Sequence, residues 1–238
     1  MKRFIYFFSL IILTSILFSS CQPCIDGMGP VSKETIEFKK FTKLDLRIPA
    51  KLTLKTGNDH VATITSNENI LKNIRAEVRG NTLVIGSKNC IGKVDKLEIE
   101  LIVSSLDEIV LNGSGSIKSV SQLEADDMEL KINGSGNILT EVFTSDLRAT
   151  INGSGNIIIN GTVKDADIEI SGSGDFKGIA LDAFTSDIEI NGSGDVRLNV
   201  KNDLSVKING SGSVYYLGEP EIRTKISGSG EVKKLRSK

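Results

Sequence analysis

Residues 187–212 read DIEINGSGDVRLNVKNDLSVKINGSG. Within this stretch one corner comes twice, each time after a run that alternates aliphatic with charged or polar side chains. Alternation of period 2 marks a strand with one buried face. The Gly-Ser-Gly that follows is either a cradle for a ligand or a bend in the chain. Its other copies decide which.

The motif recurs at Asn112, Asn133, Asn152, Ser171, Asn191, Asn209 and Ser227, each followed by Gly-Ser-Gly, in steps of 21, 19, 19, 20, 18 and 18 residues. Just before each copy stand Leu111, Ile132, Ile151, Ile170, Ile190, Ile208 and Ile226. Two residues earlier come Ile109, Leu130, Ala149, Ile168, Ile188, Val206 and Thr224. Two residues after the last glycine come Ile117, Ile138, Ile157, Phe176, Val196, Val214 and Val232. A coil this short cannot hold a strand–helix–strand unit, which needs roughly 30 residues. It suits an all-β parallel β-helix, a β-solenoid of 18–21-residue coils in which equivalent side chains stack at about 4.8 Å. Glycine then serves the corner, and neighbouring asparagines can hydrogen-bond from coil to coil.

Ligand-cradle readings fail on form. A dinucleotide fingerprint needs G-x-G-x-x-G opening a helix. After Gly172 and Gly174 the next glycine is Gly178, one place too late. Calcium-binding β-helix repeats recur every nine residues with an Asp in each. Here only Asp175 and Asp195 follow a last glycine.

Residues 34–105 lack the motif but alternate as strands over 35–41, 43–48, 51–55, 61–66, 75–79, 82–85 and 96–102, with one helical turn over 67–73. Lys55-Thr-Gly-Asn and Arg79-Gly-Asn-Thr read as hairpin corners. An open solenoid end exposes unpaired backbone and core, so this segment is expected to be a strand layer capping residues 106–238. Residues 34–232 then form one domain.

The N-terminus is different in kind. Met1, Lys2 and Arg3 precede a mostly apolar run from Phe4 to Phe18, then Ser19, Ser20 and Cys21. This is a signal peptide over residues 1–20, too short for a comfortable membrane span. Leu17-Phe18-Ser19-Ser20-Cys21 resembles a bacterial lipobox. That resemblance implies cleavage before Cys21, its acylation, and a tether over residues 21–33 to a membrane of the cell envelope. Cys24 and Cys90 remain, either bridged outside the cytoplasm or left as two free thiols. A bridge would staple the arm after the anchor to the domain.

Loss of residues 1–20 removes Lys2 and Arg3 from 29 basic side chains and none of 30 acidic ones, leaving a net charge near −3. That balance excludes a typical nucleic-acid binder. On the solvent side of the coils, Asp167, Glu169, Asp187 and Glu189 fall together, with Asp175 and Asp195 across the corner. Like charges one strand apart are unfavourable by up to about 1 kcal/mol, and Arg148, Lys207, Arg223 and Lys225 stand where they can offset it. The six acids are either a self-compensating ladder or a weak cation or basic-partner patch. His60 is the sole histidine and lies outside the repeats, so no catalytic, metal or cofactor set is expected.

With its Ile-Asn-Gly-Ser-Gly-Asn-Ile repeats, the chain is similar to the "putative auto-transporter adhesin, head GIN domain" family. Phe38-x-x-Phe41-x-x-Leu44-x-Leu46 and Leu106-x-x-Ile-x-Leu111-x-Gly-Ser-Gly belong to the same resemblance. It implies a parallel β-helix, often on a lipid anchor, in a non-enzymatic adhesive role toward a surface glycan or protein. It carries over no catalytic residue. Two alternatives stand beside it. One is a carbohydrate-active enzyme using Asp167 and Asp187; the other is a structural module that self-associates through its last coil.

Overall fold

The computed structural model describes residues 23–236. Cys21 and the expected signal peptide over residues 1–20 therefore lie outside the described residues. Before the repeats come β1 (Val31–Glu37), β2 (Lys43–Leu46), β3 (Lys51–Thr56), β4 (Val61–Asn67), β5 (Ile74–Arg79), β6 (Thr82–Ser87) and β7 (Leu97–Val103). The repeats supply β8 (Glu108–Gly113), β9 (Ser116–Ser119), β10 (Leu123–Gly134), β11 (Asn137–Gly153) and β12 (Asn156–Gly172). They continue through β13 (Asp175–Gly192), β14 (Asp195–Gly210), β15 (Ser213–Leu217), β16 (Glu221–Gly228) and β17 (Glu231–Lys234).

From β8 onward all pairing is parallel and each coil lies on the one before it. Ile151, Ile170, Ile190 and Ile208 are in direct register, and so are Ile168, Ile188 and Val206. All seven are at most 2% exposed. The alternation in the sequence thus becomes continuous aliphatic ladders. These ladders are the core: equivalent residues meet the same layer above and below, so one solution repeats in every coil.

The corner follows from the same stacking. At Gly192 φ is +145°, and each first glycine of the motif is at positive φ while, among the described residues, no other residue type is. A Cβ on Gly192 would run into the carbonyl of Gly172 in the coil below. Beside the corner, Asn133 Nδ2 donates to Asn112 Oδ1 at 2.9 Å and Asn152 Nδ2 to Asn133 Oδ1 at 3.0 Å. Asn209 Nδ2 donates to Asn191 Oδ1 at 2.8 Å, and Asn112 Nδ2 reaches Asp45 Oδ1 at 2.8 Å. The amide ladder is interrupted where Ser171 sits between Asn152 and Asn191, and it ends where Ser227 lies on Asn209. Ser171→Asn should close the gap with up to two bonds of about 0.5–1.5 kcal/mol each and raise the thermal midpoint. An unchanged or lowered midpoint in a calorimetric comparison would count against the ladder as a source of stability.

The N-terminal part departs from sequence order. On one side of the column the strands run β5-β6-β2-β8 before reaching the repeats. On the other they run β1-β4-β7-β3-β9. The coil made by β2 and β3 is first in the chain but second in the stack, inserted between β6–β7 and β8–β9. The turn at Arg79-Gly-Asn-Thr is a hairpin, with Gly80 at φ +61°. The turn after Lys55 is not. β3 and β4 both pair with β7, which lies between them. The helical turn is Glu68–Leu71, and it buries Ile70.

Antiparallel β1 and β5 close this end. At the far end β16 is exposed throughout, with Ile222 and Ile226 at 38% and 41%. Lys225, Lys233 and Lys234 line that edge; lysines on an edge discourage further pairing. Residues 24–30, expected as part of a tether, are fixed to the cap, and Val31–Lys33 already belong to β1. The reason is local: the cap offers free backbone partners at Cys90–Lys93 and side-chain partners at Asn67 and Asn69.

Candidate binding face

The coils of β10 to β13 have a second bend, away from the Gly-Ser-Gly corner. Val142 and Thr144 point inward, then Ser145 and Asp146 both point outward, and Leu147 points in again. Two successive outward residues flip the parity of the strand and turn it. The same slip occurs at Lys164–Asp165 and Phe184–Thr185. Stacked, these bends form an open lateral groove of about 870 Å³.

Its walls are unusual for this molecule. Phe143 and Phe184 point outward and are 57% and 48% exposed. They are two coils apart, about 10 Å along the column. Ala125 lies beside them, with Ser145 and Thr162 supplying hydroxyls, while the Thr144 hydroxyl points inward and donates to the Asp126 carbonyl at 2.8 Å. Lys164, Lys201, Glu124, Asp126 and Asp182 make the charged margin. Asp182 accepts from Lys201 Nζ at 3.0 Å and from Asn199 Nδ2 at 2.7 Å. The Lys201 hydrogen bond, followed by that of Asn199, holds its carboxyl below the ordinary value against a modest desolvation. Thr185 and then Lys164 do the same for Asp165. The Lys164–Asp165 and Lys201–Asp182 side of the margin is thus paired, while Glu124 and Asp126 form no ion pair among the described residues.

The acids singled out in the sequence lie elsewhere. Asp167 is in register with Asp187, and Glu169 with Glu189, on the strands leading into the glycine corner. Arg148 lies 3.5 Å from Asp167, and Lys207 lies 2.8 Å from Glu189. The Lys207 bond, then that of Asn191, lowers the Glu189 pKa. Asp175 pairs with Lys177 at 3.2 Å and Asp195 with Arg197 at 3.6 Å. Asp175 Oδ1 accepts from the Asp195 amide at 3.2 Å, and Asp195 Oδ1 from the Ser213 amide at 3.1 Å. Both therefore serve the stacking of the corner. Among the described residues no group of three His, Cys, Asp or Glu side chains is placed to hold a metal ion. Cys24 and Cys90 are bonded, with Cα atoms 4.5 Å apart.

The adjacent tyrosines of β15 divide. Tyr216 is 8% exposed and fills the core, while Tyr215 lies under the Arg197 guanidinium, 4.9 Å from ring centre. The aromatics that face solvent in a groove are Phe143 and Phe184, which the reading of the sequence passed over. A signal was there. In Thr140-Glu-Val-Phe-Thr the inward phase falls on Val142 and Thr144, leaving an aromatic in the outward phase.

A close-packed parallel column defines the class: a β-solenoid whose interior is filled by buried aliphatic side chains. The chain belongs to the family described as "Putative auto-transporter adhesin, head GIN domain", whose model matches residues 40–220. A putative adhesin from Bacteroides fragilis has the same fold, with a TM-score of 0.84 at 22% identity, covering 89% of this chain and 100% of that one. A Parabacteroides distasonis protein described as a putative lipid binding protein matches with a TM-score of 0.77 at 25% identity, covering 90% and 100%. A putative adhesin from Parabacteroides merdae gives 0.73 at 21%, covering 89% and 99%. No match was found among curated protein sequences. No helix among the described residues is long and apolar enough to cross a membrane.

Proposed function

We propose that this chain is a non-enzymatic, lipid-anchored adhesion module of the bacterial cell envelope that binds an extended surface glycan along the lateral groove. The observation that carries the reading is the pair Phe143 and Phe184, exposed in a groove whose other lining is mostly hydroxyl-bearing and charged. A sugar ring offers a C–H face to an aromatic side chain and a hydroxyl edge to Thr, Ser, Asp and Lys. A linear polymer fits a groove that runs from coil to coil. An acyl chain would want an enclosed apolar cavity, and the interior here is occupied by the buried aliphatic ladders. The Lys201–Asp182 pair, already oriented at the margin, lowers the ordering cost of binding.

The test is a glycan array followed by titration with the best binder. Phe143→Ser/Phe184→Ser removes two stacking faces worth about 0.5–1.5 kcal/mol each, so affinity should fall about tenfold with the melting midpoint near that of the parent. Undiminished binding by the double variant would reject the groove. Cleavage of a polysaccharide that disappears in Asp167→Asn/Asp187→Asn would reject the non-enzymatic reading and favour catalysis on the acidic face.

A further inference from the structure

We propose that the Cys24–Cys90 disulfide is an orientation clasp, which makes the column stand on the membrane by its antiparallel end and carry its last coil outermost. The proposal rests on the lipid-anchor reading above.

The described arm is held along its length. Beyond the disulfide, the Ile25 amide donates to the Cys90 carbonyl at 2.8 Å and the Gly92 amide to the Ile25 carbonyl at 2.9 Å. The Gly27 amide donates to the Lys93 carbonyl at 2.7 Å, and the Lys93 amide to Asp26 Oδ1 at 2.8 Å. Asn69 closes the other side, giving Nδ2 to the Asp26 carbonyl at 2.8 Å and taking the Met28 amide at 2.7 Å. All of these partners belong to the cap, beside the end strands β1 and β5.

Chain length sets the consequence. Cys21 is three residues from Cys24, a reach of at most about 10 Å. An unclasped arm from Cys21 to Pro30 could span roughly three times as far. Along the β5 side ten strands are stacked, so the β16 edge lies on the order of 43 Å from the end strand. A short leash at one end of so tall a column fixes which end meets the bilayer. That end is also suited to the contact. Met28 and Val31 are 67% and 43% exposed, and the basic Lys33, Lys72, Arg75, Arg79, Lys88, Lys93 and Lys96 exposed at this end outnumber the acidic Asp26, Glu34, Glu68, Glu77 and Asp95. Apolar and cationic side chains next to an acyl anchor form the second signal that membrane attachment commonly uses. The glycan groove, on β10 to β14, is then held mid-column, clear of the surface.

The full acylated chain is reconstituted into vesicles carrying an acceptor-labelled headgroup, with a donor on a noncanonical residue at position 88 or 233. Energy transfer should be several-fold stronger from 88 than from 233. Both Cys24→Ser/Cys90→Ser and an insertion of about a dozen Gly and Ser residues between Gln22 and Pro23 should narrow the gap. The insertion leaves the disulfide and the cap untouched. Equal transfer from both positions in the parent, or a gap that the insertion leaves intact, overturns the clasp. Flotation of the chain with vesicles is read separately. If Cys21→Ser floats as the parent does, the anchor reading fails and the clasp falls with it.

Discussion

Ile190→Asp should leave no stable column at ambient temperature. Ile190 is fully buried between Ile170 and Ile208, which lie directly below and above it in register. A carboxylate there has aliphatic side chains on both sides and no partner. Whether it stays charged or takes up a proton, the penalty is several kcal/mol. A domain is stable by about 5–15 kcal/mol in total, so this one change removes a large share of it. Stacked coils are stabilised by their neighbours, and the loss should spread beyond one layer. Urea denaturation followed by circular dichroism reads the effect. Lys207→Ala is the control: its ion pair with Glu189 is 45% and 39% exposed, and removing it should shift stability by no more than about 0.5 kcal/mol. A midpoint for Ile190→Asp close to that of Lys207→Ala would mean that the aliphatic ladders are not the core.

Gly192→Ala should be the next most damaging change, at about 2–6 kcal/mol. Two penalties fall on the same methyl group. At φ +145° the backbone is in a region that other residues adopt at a cost of about 1–3 kcal/mol. The new Cβ would also press on the Gly172 carbonyl, which already accepts from the Ser193 amide at 2.8 Å. That carbonyl cannot retreat without opening the coil below, so overpacking adds about 1–3 kcal/mol. Ser193→Ala, between the two glycines on an exposed position, should be nearly silent in both stability and binding. This contrast separates a corner from a cradle. A Ser193→Ala variant that melts normally but loses glycan binding would show that the tripeptides contact ligand.

Neither penalty needed coordinates to be suspected. The spacing of seven near-identical copies, with aliphatic residues at fixed offsets, already placed Ile190 in a ladder and Gly192 in a bend. Before the repeats, the alternation over 43–48, 61–66 and 82–85 located β2, β4 and β6 to within a residue or two. The partners of those strands were not legible. Backbone donors and acceptors look alike in every strand, so Leu44 and Leu46 carry no mark saying that they lie between β6 and β8. The failed hairpin after Lys55 has the same cause: a Gly-Asn turn is compatible with pairing but does not compel it.

The groove was hidden by a parity slip. Carried unbroken from Ile138, period 2 leads to Thr144 and then fails, because Ser145 and Asp146 both face water. Phe143 and Phe184 belong to the turn so made, and their company (Lys164, Lys201, Thr162) comes from other coils. The acidic residues were placed correctly on the coils by register, but their ion pairs depend on side-chain reach across strands.

The amino-acid sequence by itself determined that this protein is a stack of short β-coils with aliphatic interiors and glycine corners, because those features recur at a fixed local period. The tertiary structure alone decided the order of the first coils, the bonding of Cys24 to Cys90, and the company kept by Phe143 and Phe184. Each of these is a contact between segments remote in the chain. A local pattern specifies which way a side chain points, whereas the neighbour it meets is chosen only when the coils close on one another.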